Sequence, residues 1–103
     1  MPTGVVYDPV YLEHDLRGHP ENQQRLKSIV RVLQEQGMWQ RLAPIEPAPV
    51  SPERLYRAHE PHYVEQVQSL AARGGGHLDM DTYVCDGSYD AALMAAGGLV
   101  EAT

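Results

Sequence analysis

Helical patterning outruns strand patterning in this chain of 103 residues, and that imbalance limits what it can fold into. Four segments carry helical spacing, while at most three short runs read as strands. A parallel sheet is covered on both faces by helices, and so few strands make only a small part of one. The first strand candidate is Gly4-Val5-Val6-Tyr7, β-branched and aromatic and closed by Asp8-Pro9. Leu42 to Ile45, hemmed by Pro44, Pro47 and Pro49, allows an edge strand and nothing longer. Tyr83-Val84-Cys85 is a strand-like patch inside a loop over residues 77–87.

The clearest helix opens at Pro20, with Leu26, Ile29, Val30 and Leu33 at i, i+3, i+4 and i+7. The spacing predicts a helix over 22–36, with Glu21 in its first turn and Gly37 just past its end. Ser51-Pro52 predicts a second start, a hydroxyl cap with Pro at N1, running to His59. Pro61 begins a third helix through Tyr63, Val64, Val67, Leu70 and Ala71, stopped by Gly74-Gly75-Gly76. Ser88 is expected to cap a fourth, rich in small residues up to Gly97-Gly98, which lets a neighbour approach closely. Leu99-Val100-Glu101-Ala102-Thr103 continues the helical pattern without a glycine cap, a basic cluster or a proline. With the shortage of strands, this predicts an incomplete domain.

Composition removes several classes of function. Fourteen Asp+Glu against eight Lys+Arg give a net charge of −6, which argues against nucleic acid and anionic membranes as partners. The single Cys85 excludes an intramolecular disulfide framework and a cysteine-rich zinc finger. No apolar run has the length of a membrane span, and residues 1–4 show no signal-peptide pattern. A cytoplasmic location is the expectation.

Three groups of residues are candidates for chemistry. His59 and His62 are three apart, but Pro61 breaks the helix between them, so a polar helix junction is favoured over a metal site. His77, Asp79 and Asp81 alternate and would share one side of an extended strand, an oxygen-and-imidazole set suited to a divalent cation. A solvated loop is the plainer reading of the same residues. Arg25 sits beside the apolar stripe of the first long helix, where it either covers the core edge or lines a cavity that binds an anion or carbonyl. Cys85 has no histidine or cation near it in sequence, and the glycine triplet lacks a phosphate loop's Lys-Ser/Thr.

In order, the chain carries Tyr7-Asp8, His14, His19-Pro20-Glu21, Arg25-Leu26, Leu55, His59 and Tyr63-Val64. It continues with Leu78-Asp79-Met80-Asp81-Thr82-Tyr83, Ser88-Tyr89, Ala92 and Ala96-Gly97-Gly98. This series resembles the start of the histone deacetylase family, which includes class II enzymes, acetylpolyamine amidohydrolases and acetoin-utilisation proteins. The resemblance implies an α/β chain, a helix-rich N-terminal part of the arginase–deacetylase fold with its parallel sheet flanked by helices. Residues 1–103 are then an incomplete N-terminal part of one deacetylase-like domain.

In that family a zinc ion held by two aspartates and a histidine polarises an acetyl-amide carbonyl and activates water, and tandem histidines move the protons. No His-His pair and no Asp-x-His occurs here, so no catalytic or metal residue is assigned, and the chain alone is expected to be inactive. Zinc and an acetylated amide substrate are expected for a full-length parent. Asp81 matches the family's rim aspartate, which accepts hydrogen bonds from substrate amides. Arg25 matches the arginine of the inner channel below the zinc. The structural zinc that class IIa members hold near this loop is not carried over: His14 and His19 remain, but the cysteines between them do not. Uncovered helix faces and sheet edges predict self-association. The rival readings are a stand-alone helical interaction module and a small metal-binding protein.

Overall fold

The computed structural model describes residues 3–103; the first two residues of the start read above lie outside them. Strand β1 (Thr3–Val6) leads through a 3₁₀ turn at Pro9–Glu13 to helix α1 (Gln23–Glu35), and the chain returns as β2 (Leu42–Ile45). The two strands pair in parallel, Thr3 opposite Leu42 through Val6 opposite Ile45. They form a βαβ unit, in which the crossover helix makes parallel pairing possible. Helices α2 (Pro52–Leu55) and α3 (Pro61–Ala72) follow. An antiparallel hairpin, β3 (Gly75–His77) with β4 (Tyr83–Cys85), then leads into α4 (Ser88–Ala102).

Helix α1 begins and ends within a residue of its expected limits. Asn22 caps it, Oδ1 accepting the Gln24 N–H at 2.9 Å. Glu21 therefore lies outside the helix, which has no acidic residue in its first turn. At the far end Gly37 has φ +71°. Its N–H donates to the Gln34 carbonyl at 3.1 Å, and Met38 donates to Leu33 at 2.9 Å. These two bonds make a Schellman end. Of the apolar stripe, Leu26, Val30 and Leu33 are half-buried, whereas Ile29 remains 57% exposed.

Three expectations are corrected. Helix α2 is a single turn ending at Leu55, and the chain winds on through turns to His59, because Pro61 must start the next helix. Ser88 is not a side-chain cap: Gly87 occupies the cap position, and the Ser88 hydroxyl instead accepts the Cys85 N–H at 2.8 Å. The glycine triplet does more than stop α3. Gly75 and Gly76 begin β3, with φ of +107° and +159°, and a side chain at Gly75 would meet the Val84 carbonyl.

Helix α4 is the keel. Its small face lets the backbone of residues 48–50 lie directly on it, and a Cβ at Gly97 would overlap the Ala48 carbonyl oxygen. A Cβ at Gly98 would press on Val6 of β1 and the Tyr11 hydroxyl. Val50 N–H donates to the Leu93 carbonyl at 3.0 Å, and the Tyr11 hydroxyl donates to Met94 at 3.1 Å. The buried apolar residues are Val50, Val64, Ala71, Tyr83, Val84 and Ala91. This core is small: the chain exposes 7382 Å², against about 5,800 Å² for a compact monomer of this mass. Its radius of gyration is 15.1 Å, against about 13 Å for such a domain.

Gly97→Ala is expected to destabilise the fold by about 2 kcal/mol, since overpacking at the Ala48 backbone exceeds the helix propensity gained. That corresponds to roughly 10 °C in Tm. An unchanged or raised Tm in thermal denaturation would show that α4 does not pack this closely.

Candidate functional site

Two groups of polar side chains emerge, one on a turn and one beneath it. The turn joins β3 to β4. The Leu78 N–H donates to the Thr82 carbonyl at 2.8 Å, closing the loop. Inside it, Asp79 Oδ1 accepts the N–H groups of Asp81 at 2.9 Å and Thr82 at 2.8 Å, the Asx arrangement that suits aspartate to turns. The Asp81 amide above all, then the Thr82 side chain, holds the Asp79 carboxyl below its ordinary range, since both favour the charged form. Asp79 is thereby spent on the backbone. Asp81 is exposed, and Met80 beside it is 94% exposed.

The alternation of His77, Asp79 and Asp81 does not become a one-sided set. His77 ends β3 opposite Tyr83, and the two aspartates lie in a turn and not on an extended strand. Among the described residues, no three His, Cys, Asp or Glu side chains come together to hold a metal ion. His59 and His62 lie on the exposed surface, with the His59 ring 5.6 Å from Tyr63. Arg25 is on the outer surface of α1, its side chain 67% exposed and paired with Glu21 at 3.8 Å. No hydrogen bond or ion pair joins it to Asp81 among the described residues.

Beneath the turn, Tyr83 gathers residues from far along the chain. His14 stacks flat on its ring at 4.7 Å, and His19 meets it edge-on at 4.8 Å. Its hydroxyl donates to the Glu21 carbonyl at 2.6 Å. Burial first, then the nearby Asp15, Cys85 and Glu21, raises the Tyr83 phenol above its ordinary value. Burial also raises Tyr11 and Tyr89. Nδ1 of His14 lies 2.5 Å from the Ser88 hydroxyl, which in turn is 3.2 Å from Cys85 Sγ. The thiol donates to the Glu13 carbonyl at 2.9 Å.

A serine and a histidine in contact invite comparison with an activated nucleophile. Ser88 is buried, however, and its oxygen accepts the Cys85 N–H, so the hydroxyl is bonded into the local structure on both sides. The cluster is a polar pin that fastens the residues 13–15 to the start of α4. Beside it a cavity of about 340 Å³ is walled by Tyr11, Val67, Leu78 and Ala91, with His14 and Ser88 at its polar end. Sequence reading left Cys85 without a partner, because His14 and Cys85 are 71 positions apart and no local spacing joins them.

The sequence profile of the histone deacetylase domain matches residues 19–103. This chain belongs to the histone deacetylase family. Its likeness to family members extends upstream of that match. Against a probable deacetylase of Archaeoglobus fulgidus it is 35% identical over 105 residues, covering 99% of this chain and 29% of that protein. A probable deacetylase of Methanothermobacter thermautotrophicus is 33% identical over 94 residues, 91% of this chain and 28% of that one. A histone deacetylase-like amidohydrolase of Pseudomonas aeruginosa is 40% identical over 78 residues, 76% of this chain and 20% of that one. The crystal structure of the HDA15 HD domain superposes with a TM-score of 0.86 at 28% identity, over 93% of this chain and 29% of that chain. The chain thus spans under a third of each of these histone deacetylase relatives, and its α/β arrangement is part of the arginase–deacetylase fold.

The raised Tyr83 phenol gives a signed pH dependence. Above about 10, the unfolded chain releases a tyrosine proton that the native state keeps, so stability falls as pH rises through the raised value. Tyr83→Phe is expected to cost about 1 kcal/mol at neutral pH, through the lost bond to Glu21, and to make the alkaline loss shallower. Urea denaturation across this range tests it, and an alkaline slope identical to the wild type rejects the assignment.

Proposed function

We propose that this chain works as the N-terminal part of a longer zinc-dependent amidohydrolase that removes acetyl groups from acetyl-lysine or acetylpolyamine amides. The observation that carries the reading is the family match over residues 19–103, with relatives described as deacetylases and an amidohydrolase. Zinc in such an enzyme supplies carbonyl polarisation and an activated water. The residues of this chain do not fit that ion: they hold no group of three ligands among those described, and the sequence has neither His-His nor Asp-x-His. No step through the metal is therefore assigned to them.

What this chain contributes is substrate orientation. Asp81 stands at the outside of a turn whose shape Asp79 has already fixed, so its carboxylate accepts a substrate amide N–H with little further ordering. Arg25 serves the inner channel once other parts of the domain cover α1; in this segment its charge faces Glu21 at the surface. No helix among the described residues is long and apolar enough to cross a membrane.

In the full-length enzyme, Asp81→Ala is expected to raise KM for an acetyl-lysine peptide by roughly tenfold to a hundredfold, the worth of a hydrogen bond to a charged group. The effect on kcat should be smaller, since the bond forms to substrate before the transition state. Unchanged kcat and KM would remove Asp81 from the site.

The same reading includes self-association of the 103-residue chain, favoured by Ile29 at 57% and Leu99 at 69% exposure on separate helices. Sedimentation velocity is expected to show dimers or larger species at micromolar concentration. A monodisperse monomer across that range counts against it.

A further inference from the structure

We propose that His19 is a pH-operated catch, its neutral imidazole holding the start of α1 against β4 and its protonation releasing it. This inference stands independently of the deacetylase reading. Nδ1 of His19 accepts the Glu21 N–H at 3.0 Å, so the neutral ring carries its proton on Nε2. An imidazolium has protons on both nitrogens and no lone pair to offer. Glu21 N–H would then face another N–H.

The consequence travels through one peptide unit. The carbonyl of Glu21 is the group that accepts the Tyr83 hydroxyl at 2.6 Å, tying the loop to β4. The His19 carbonyl accepts from Asn22 Nδ2 at 2.6 Å, and Asn22 is the cap of α1. Glu21 is thus held at its N–H by His19 and at its carbonyl by β4, and loss of the first hold loosens the second. The start of α1, and with it Arg25, moves with the charge state of one ring.

The titratable and charged groups around this point are few, and α1 contributes Arg25, paired with the Glu21 carboxylate at 3.8 Å. From β4 come Tyr83, against the ring edge, and Cys85. The loop itself contributes the Glu21 carboxylate and Asp15, whose oxygens are taken by Gln23 at 2.7 and 3.1 Å. His14 shares the Tyr83 ring but differs in its partner, for Nδ1 meets the Ser88 hydroxyl. A hydroxyl can donate or accept, so Ser88 adapts to either form of His14 by turning its proton toward Cys85. A backbone N–H cannot adapt. His19 alone of the two is a switch.

The test is an NMR titration from about pH 8 to about pH 5, following the Glu21 amide and the ring nitrogens of His19. Expected is a Glu21 amide shift that tracks His19 protonation, with about fivefold lower protection from exchange on the acid side. His19→Asn places a non-titrating oxygen where Nδ1 stood and is expected to flatten the Glu21 response, while His14→Asn leaves it. A Glu21 step that persists in His19→Asn overturns the proposal. So do ring nitrogen shifts that put the neutral wild-type proton on Nδ1, a result that needs no variant.

Discussion

The approach of α4 to the segment that follows β2 governs the rest of the structure. Two parallel strands bonded only to each other have no independent stability, so they need a surface to lie on. Helix α4 supplies it, at a distance that only glycine allows: Ala48 at Gly97 and Val6 at Gly98 occupy the space a Cβ would take. Two glycines within one helix cost about 1 kcal/mol each in propensity. The contact offsets this by bringing backbone groups of both partners into bonding range, Val50 N–H to Leu93 and the Tyr11 hydroxyl to Met94. Tyr11 and Trp39 meet Tyr7 edge-on at 6.4 and 5.9 Å, so the same contact also fixes the end of α1.

The second half of the molecule is organised by polarity. Around Tyr83 the packing is made of imidazoles, a serine, a thiol and backbone carbonyls, yet among the described residues no buried side-chain nitrogen or oxygen lacks a partner. Satisfied networks of this kind impose directions as apolar packing does not, because each donor accepts few geometries. The Asx turn above it is built on the same logic. The Asp79 carboxylate accepts two amides and so presents Asp81 at a fixed place.

What was legible in the sequence follows from how local the cause was. The limits of α1 were readable because the stripe, the Asn22 cap and Gly37 all lie within the helix or a few residues of it. Both parallel strands were readable as runs, though their pairing was not. Strand β3 was invisible, since two glycines and a histidine show no side-chain alternation and the strand exists only through its partner at residues 83–85. Ser88 misled for the opposite reason: its position suits a cap, but the Cys85 amide three residues upstream claims its oxygen. The family order could be read, whereas the cluster of His14, His19, Tyr83 and Cys85 could not, because it closes over separations of more than sixty residues.

A chain with so much surface for its mass has few ways to hold a specific shape. It nevertheless superposes on a histone deacetylase domain at a TM-score of 0.86 with only 28% of residues identical. A large apolar core cannot be the reason, as few apolar side chains among the described residues are buried and none of them is completely enclosed. The remaining determinants are backbone devices: a glycine contact at α4, a Schellman end and an Asn cap on α1, a proline start for α3, and an Asx turn between β3 and β4. Each fixes direction locally and tolerates change in the side chains around it. Such devices explain how the arrangement stays close while most residues differ. They also place the polar side chains at turns and helix starts, where the backbone is held firmly enough to position a single carboxylate or imidazole.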